Sequence, residues 1–184
     1  MNTVKRTALL ICDLQCRSVP HLVNGPTIIR NVNKLIHMKR HIPAFTFSAI
    51  SEFIPNKLGK TCHDIDTDNV DFIYEKDTYS MATTQLLLRM CELGVNTVVL
   101  TGMETQWCIN KSVSDFHSLS YDVIVPVDAT GNQQQDNMYV LEHLKHTGAR
   151  LTTTDALLCS YLSSADEPAA KEYLNITKRQ KFNL

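Results

Sequence analysis

Three residues that lie far apart in the sequence have types that together perform nucleophilic chemistry. Cys108 stands in TGMETQWCINKSVSDF (101–116), where an apolar run gives way to a helical pattern. Asp13 follows the apolar run TALLIC (7–12), and Lys76 ends VDFIYEK (70–76). A helix N-terminus carries unpaired N–H groups and the positive end of the helix dipole, and both stabilise a thiolate. A nearby ammonium adds to that effect. A carboxylate can take the thiol proton and later return it to a leaving group. Nucleophile, cationic stabiliser and base are therefore all present. The same types also suit structural roles, with Asp13 capping a loop, Lys76 in a surface ion pair and Cys108 in the core. Residue types alone leave both readings open.

For the three to meet, the strands that carry them must end at one edge of one sheet. Apolar runs of strand length alternate with helical patterns along the chain. Strands are predicted at 7–12, 43–50, 70–76, 96–102, 121–129 and 149–154. Helices are predicted at 26–40, 83–93, 106–119, 133–146, 155–163 and 167–178. Ile28, Val32, Leu35 and Ile36 give the first helix its apolar face. Residues 51–69, with Pro55, Gly59 and several aspartates, read as a long surface loop. Strict β-α alternation predicts a three-layer αβα fold of the α/β class. Its centre is a doubly wound, Rossmann-like sheet of six mainly parallel strands, in one domain spanning 1–184. In such folds ligands bind beyond the carboxyl ends of the strands. Asp13, Lys76 and Cys108 all fall at that edge.

The bulk composition narrows the partners. With 184 residues, 43% of them hydrophobic and 20% charged, the chain is long enough for a sizeable core. A formal net charge of -1 gives no broad basic surface, so neither nucleic acid nor an anionic membrane is the default partner. The basic cluster Lys178-Arg179-Gln180-Lys181 reads as a solvated tail. The N-terminus enters an apolar strand at once, leaving no room for a cleavable leader, and no apolar run has the length of a membrane span. The expected location is the cytosol, with a mitochondrial address left open.

The cysteines, Cys12, Cys16, Cys62, Cys91, Cys108 and Cys159, show no C-x-x-C or zinc-ribbon spacing, so free thiols are expected. Most of them read as small buried hydrophobes. LGKT (58–61) lacks the first glycine of a P-loop, and no G-x-G-x-x-G follows a strand. His37 and His41, and His143 and His146, have helical spacing that could ligate a metal. With no nearby carboxylate array in the sequence, they read as surface or helix-end residues. The segment CHDID (62–66) reads as solvated loop.

Around the three candidate residues the segments ALLICDLQ, YEKDTYSM and LTGMETQWCINKSVSDF, in that order, resemble the isochorismatase-like hydrolase family. The likeness continues in YDVIVPVDA and VLEHLKHTGARLTTTDALL and covers nearly the whole chain. It implies an Asp–Lys–Cys triad at Asp13, Lys76 and Cys108. Asp13 would deprotonate Cys108 and protonate the leaving group, and Lys76 would hold the thiolate and orient Asp13. It implies a cis peptide at Met103–Glu104 that aims the N–H groups of Glu104 and Cys108 into an oxyanion hole. With the cysteine present, it implies hydrolysis of a small amide or related C–N bond through a thioester, rather than cleavage of the isochorismate vinyl ether.

Nicotinamidases of the family carry an Asp-x-His metal motif after the second strand. This chain reads TFSAISEFIPNKLGKT there, which implies no metal or other cofactor and argues against nicotinamide as the substrate. Gln15 matches the family's Asp-x-Gln as structural support at a possible pocket. Trp107 could wall the pocket, fill the core or contact a second subunit. Relatives are usually homo-oligomers, so at least a dimer is expected. Two other classes stand beside the hydrolase: a catalytically silent binding or scaffold subunit of the same fold, and a nucleic-acid-processing protein.

Overall fold

The computed structural model describes residues 5–134 and 138–182, with side chains through Lys178. Of the basic cluster at the C-terminus, only the Lys178 side chain falls within the described residues, where it is exposed.

The sheet is built from β1 (Thr7–Cys12), β2 (Phe45–Phe53), β3 (Phe72–Lys76), β4 (Thr97–Met103), β5 (Asp122–Pro126), β6 (Thr130–Gly131) and β7 (Ala149–Thr152). Its order is β3-β2-β1-β4-β5-β7, with β6 pairing to the end of β4. All of these pairings are parallel. The chain steps outward from β1 to β2 and β3, returns to β4 beside β1, and then steps the other way. The order therefore reverses between β1 and β4, and that reversal opens the crevice where such sheets bind ligands.

Seven helices flank the sheet among the described residues. They are α1 (Gly25–Lys39), α2 (Pro55–Leu58), α3 (Thr84–Glu92), α4 (Asn110–Ser118), α5 (Met138–His146), α6 (Thr154–Cys159) and α7 (Pro168–Phe182). Successive side chains of a strand point to opposite faces, and β1 shows how this makes three layers. Leu9 and Ile11 pack with Val32, Leu35 and Ile36 of α1 and with Leu157 and Leu158 of α6. Ala8, Leu10 and Cys12 pack instead with Leu86 and Met90 of α3, Val113 and Phe116 of α4 and Leu144 of α5. All six β1 residues are buried, because helices cover both faces. Each such Leu, Ile or Phe contributes about 1.5–3 kcal/mol of hydrophobic stabilisation.

The predicted architecture and the observed one agree in class, and several details differ, among them the short helix α2 inside the predicted loop 51–69. The predicted loop 51–69 begins with strand: β2 runs on to Phe53, because Ser51, Glu52 and Phe53 pair with Tyr74, Glu75 and Lys76 of β3. A neighbouring strand extended an alternating polar stretch that reads locally as surface. The predicted strand 121–129 ends at Pro126, turns through Val127–Ala129, and resumes as β6 on a different partner. The sheet therefore has a seventh, two-residue strand. Finally, the helix predicted at 106–119 is preceded by a wider π-helical turn, Thr105–Ile109, and becomes α-helical only at Asn110. Residues 135–137 of the predicted helix 133–146 lie outside the described residues.

Candidate active site

Asp13, Lys76 and Cys108 come together at the β1/β4 crevice. Asp13 is the first residue beyond β1 and turns the chain sharply, at φ 53°. Its side chain is held by three donors. The Ser51 hydroxyl donates to Oδ1 at 2.7 Å, the Lys76 ammonium to Oδ2 at 2.8 Å and the Cys12 thiol to Oδ2 at 3.3 Å.

Lys76 ends β3, two strands away, and reaches across β2. Its side chain is fully buried. Besides Asp13 it donates to the carbonyl oxygens of Thr78 at 3.1 Å and Tyr79 at 3.2 Å, and it lies 3.8 Å from Cys108 Sγ. The Phe53 ring covers it, with Nζ 4.6 Å from the ring centroid. Burial alone would push this ammonium down. The Cys12 sulfur, the Asp13 carboxylate and the Cys108 sulfur around it outweigh that effect and hold Lys76 above its ordinary value. The full burial of this side chain against Asp13 excludes the surface ion pair that residue type alone had allowed.

Cys108 lies in the π-helical turn. The Glu104 carbonyl accepts from the N–H of Trp107 at 3.1 Å and from that of Ile109, five residues on, at 3.0 Å. That second bond is the π pattern, and such turns recur at functional sites. Ser112 locks the turn from below: its hydroxyl donates to the Cys108 carbonyl at 2.6 Å and accepts from the Met81 N–H at 2.8 Å. The loop after Lys76 and the turn bearing Cys108 are thereby joined.

Cys108 Sγ, Cys12 Sγ and an Asp13 carboxylate oxygen all lie within 4.8 Å of one another. No direct hydrogen bond links Asp13 to Cys108 among the described residues. In unliganded sites catalytic hydrogen bonds are often long, and they tighten only around substrate.

Two residues that position this cluster carried no warning in the sequence. Cys12 is one, a second buried thiol at the site. Burial, the Cys108 thiol and the Asp13 carboxylate hold it well above its ordinary value, so it serves as an S–H donor to Asp13. Gly102 is the other. It pairs with Cys12 across β1 and β4 at φ 103°, and a Cβ there would lie 2.1 Å from the Cys12 carbonyl oxygen. Only glycine lets β4 approach β1 so closely.

The cavity above the cluster has a volume of about 270 Å³ and is lined by Asp13, Cys108, Met103, Glu104, Phe53 and Trp107, among others. The Met103–Glu104 peptide is cis. Phe53, Tyr79 and Trp107 form a row of rings, with centroids 5.6 and 6.2 Å apart. Trp107 is 57% exposed, so it walls the cavity mouth and does not fill the core. Gln15 does not line this cavity. It is buried and clamps the end of β2, accepting from the Phe53 N–H at 2.9 Å and donating to the carbonyls of Phe53 at 3.1 Å and Gly59 at 2.6 Å. The other thiols depart from the expectation of burial: Cys16 and Cys62 are half-buried, and Cys91 and Cys159 are exposed.

The donors at the end of β2 do not suit the metal that the nicotinamidase motif would hold. Ser51 is spent on Asp13, Phe53 is apolar, and no histidine stands in this segment. Glu52 is tied to Thr61 and Lys60. A cation placed instead among Cys12, Asp13 and Cys108 would be repelled by the buried Lys76 ammonium, which is already paired with the Asp13 carboxylate.

A model of the Isochorismatase domain matches residues 7–156. The chain belongs to the isochorismatase family. It is 30% identical to isochorismatase family protein 1B of Dictyostelium discoideum, over 97% of this chain and 89% of that one. It is 32% identical to isochorismatase domain-containing protein 1 of Danio rerio, over 91% of this chain but only 59% of that protein. Among solved structures, the MAR1 ribonuclease of Caenorhabditis elegans superposes with a TM-score of 0.84 at 25% identity, covering 95% of this chain and 90% of that one. An isochorismatase-like hydrolase from Alkaliphilus metalliredigens shares the fold, with a TM-score of 0.77 at 22% identity over 88% of this chain and 99% of that one. Among the described residues, the isochorismatase domain thus takes in every strand, from Thr7 of β1 to Thr152 of β7. The matched span also holds all three clustered residues. Among the described residues, no helix of this isochorismatase-family chain is long and apolar enough to cross a membrane.

Proposed function

We propose that this member of the hydrolase family is a metal-independent cysteine hydrolase that cleaves a small amide or related C–N bond. One observation carries the reading. A fully buried ammonium, that of Lys76, stands 2.8 Å from the Asp13 carboxylate and 3.8 Å from the Cys108 thiol, and Asp13 and Cys108 both line a small cavity. Burying a charge in this way is expensive, and such arrangements concentrate at sites that do chemistry.

Asp13 takes the Cys108 proton, directly or through one water, and Lys76 stabilises the thiolate. The sulfur attacks the carbonyl carbon and forms a C–S bond. Negative charge moves to the oxygen, which the backbone of the Glu104–Cys108 turn receives. The C–N bond breaks, the amine leaves with the proton from Asp13, and a thioester remains on Cys108. Water, deprotonated by Asp13, adds to the thioester and releases the acid and the free thiol. The row of Phe53, Tyr79 and Trp107 suits a substrate with a planar or apolar acyl group.

The test is a screen of small amides, with intact-mass spectrometry of quenched reactions. An acyl adduct is expected on Cys108. Cys108→Ala should lose the adduct and at least about 10⁴-fold in turnover while keeping its fold. Retained turnover in that variant would remove the nucleophile and the mechanism with it. A chain that turns over no amide, and whose Cys108 alkylates no faster than exposed Cys91 and Cys159, would match the scaffold alternative. The likeness to the MAR1 ribonuclease of C. elegans gives the nucleic-acid alternative its support. Salt-dependent RNA cleavage that survives Cys108→Ala would favour it.

A further inference from the structure

The fold brings a carboxylate to the histidine pair of the first helix, which the sequence left without one. His37 lies in the last turn of α1, and His41 follows in a tight turn in which the His41 N–H donates to the Met38 carbonyl at 3.0 Å. The two rings stack, with centroids 5.3 Å apart and planes 27° from parallel. From α7, which begins more than a hundred residues later, Glu172 places Oε1 at 2.8 Å from His37 Nε2. One ligand atom from each of His37, His41 and Glu172 lies within 4.8 Å of the other two. His41 is exposed, and His37 and Glu172 are half-buried, so an ion can enter from solvent.

We infer that His37, His41 and Glu172 form a site for a borderline divalent transition-metal ion of the Zn²⁺ class, clipping α7 to α1. The donor set explains the choice of ion. Two imidazoles and one carboxylate match Zn²⁺, Ni²⁺ and Co²⁺, whereas Mg²⁺ and Ca²⁺ take oxygen ligands. Bonds of about 2.0–2.2 Å to such ligands put neighbouring donor atoms roughly 3.3 Å apart. The donors are already within side-chain rotation of that spacing, and a fourth position stays open for water. The site is separate from the Cys108 cluster and lies on a different pair of elements.

The consequence is mechanical. α7 packs on the body through small or partly buried residues, Ala169, Ala170, Tyr173 and Ile176. The only other tie at this contact among the described ion pairs and cation–π contacts is Lys34, which lies 5.9 Å from the Tyr173 ring. An ion shared by α1 and α7 binds the docked helix alone, so it shifts the equilibrium toward docking.

The experiment titrates Zn²⁺, Ni²⁺ and Co²⁺ into the chelator-washed full chain, following heat by calorimetry and the Co²⁺ spectrum. In the wild type, one equivalent should bind with a spectrum of nitrogen and oxygen ligation, without thiolate charge-transfer bands, and raise the Tm. His37→Ala, His41→Ala and Glu172→Gln should each weaken binding at least about tenfold, the loss seen even for weaker perturbations of metal sites. His143→Ala/His146→Ala should bind like wild type. Ni²⁺ binding that survives all three ligand variants would overturn the site, as would a Co²⁺ spectrum dominated by thiolate, or no stoichiometric binding at micromolar ion. The Cys108→Ala variant should bind the ion unchanged, so this outcome is read independently of the proposed hydrolysis.

Discussion

The two edges of the sheet show what a cavity does and does not reveal. At the amino edge lies the larger hollow, a groove of about 1550 Å³ bordered by Lys5, Arg6, Lys145 and Arg150. At the carboxyl edge lies the small one, about 270 Å³, over Cys108. The large groove holds charges that water already solvates: the bidentate Arg150–Asp122 pair is 55% and 40% exposed. The small cavity is lined by the Asp13 carboxylate, 6% exposed, which is paired beneath it with a Lys76 ammonium that is 0% exposed. Size points one way and chemistry the other. Coulombic interactions gain strength where water is excluded, so buried polarity is the better guide to function than volume.

The sharpest break in that contrast comes from Lys76→Met. It leaves the Asp13 carboxylate buried without its cation, and stability should fall by about 3–5 kcal/mol, read as a shift of the urea midpoint at constant slope. A midpoint within error of wild type would mean that the carboxyl edge is no more charge-strained than the amino edge. Adding Asp13→Asn to this variant should destabilise by less than the sum of the two single changes, because the residues share one interaction.

Next in size is Gly102→Ala. The added methyl meets the Cys12 backbone, and φ 103° disfavours any side chain, so about 2–4 kcal/mol of stability should be lost. Cys108 alkylation should change with it, since β4 carries the turn. Unchanged stability and labelling would show that the close β1/β4 approach does not position the site.

Glu52 lies between the two extremes, a buried carboxylate beside an exposed Lys60. Burial pushes Glu52 up, but the Thr61 N–H, Lys60 and the Thr61 hydroxyl outweigh it and leave Glu52 below its ordinary value. A depressed carboxyl contributes stability above its unfolded value of about 4.3, and the contribution is lost as pH falls through the folded value. Glu52→Gln should flatten the acid limb of stability below about pH 4.5 by less than about 1 kcal/mol, since Lys60 is screened by solvent. An unaltered limb would place the acid sensitivity elsewhere.

Smallest is Arg150→Ala at the amino edge. It should change stability by less than about 1 kcal/mol and leave amide turnover as it was. A large loss of turnover would transfer functional weight to the big groove.

Much of this was written in local sequence. The alternation of apolar runs and helical faces determined the α/β class, because periodicity is a property of adjacent residues. The position of Asp13, Lys76 and Cys108 after their strands placed them at one edge, because parallel strands end together. Tertiary structure decided the rest, wherever a partner distant in sequence was needed. Phe53 became strand because β3 lay beside it, and β6 left β5 for β4. Lys76 became buried because Phe53 of β2 and the Thr78–Tyr79 loop covered it. Cys12 looked like core filler until Asp13, Cys108 and Lys76 surrounded it, and Glu172 met His37 only when α7 docked on α1. Pattern along a chain reports which way each side chain faces. Which other side chain it meets depends on strand order and register, which no short window of sequence contains.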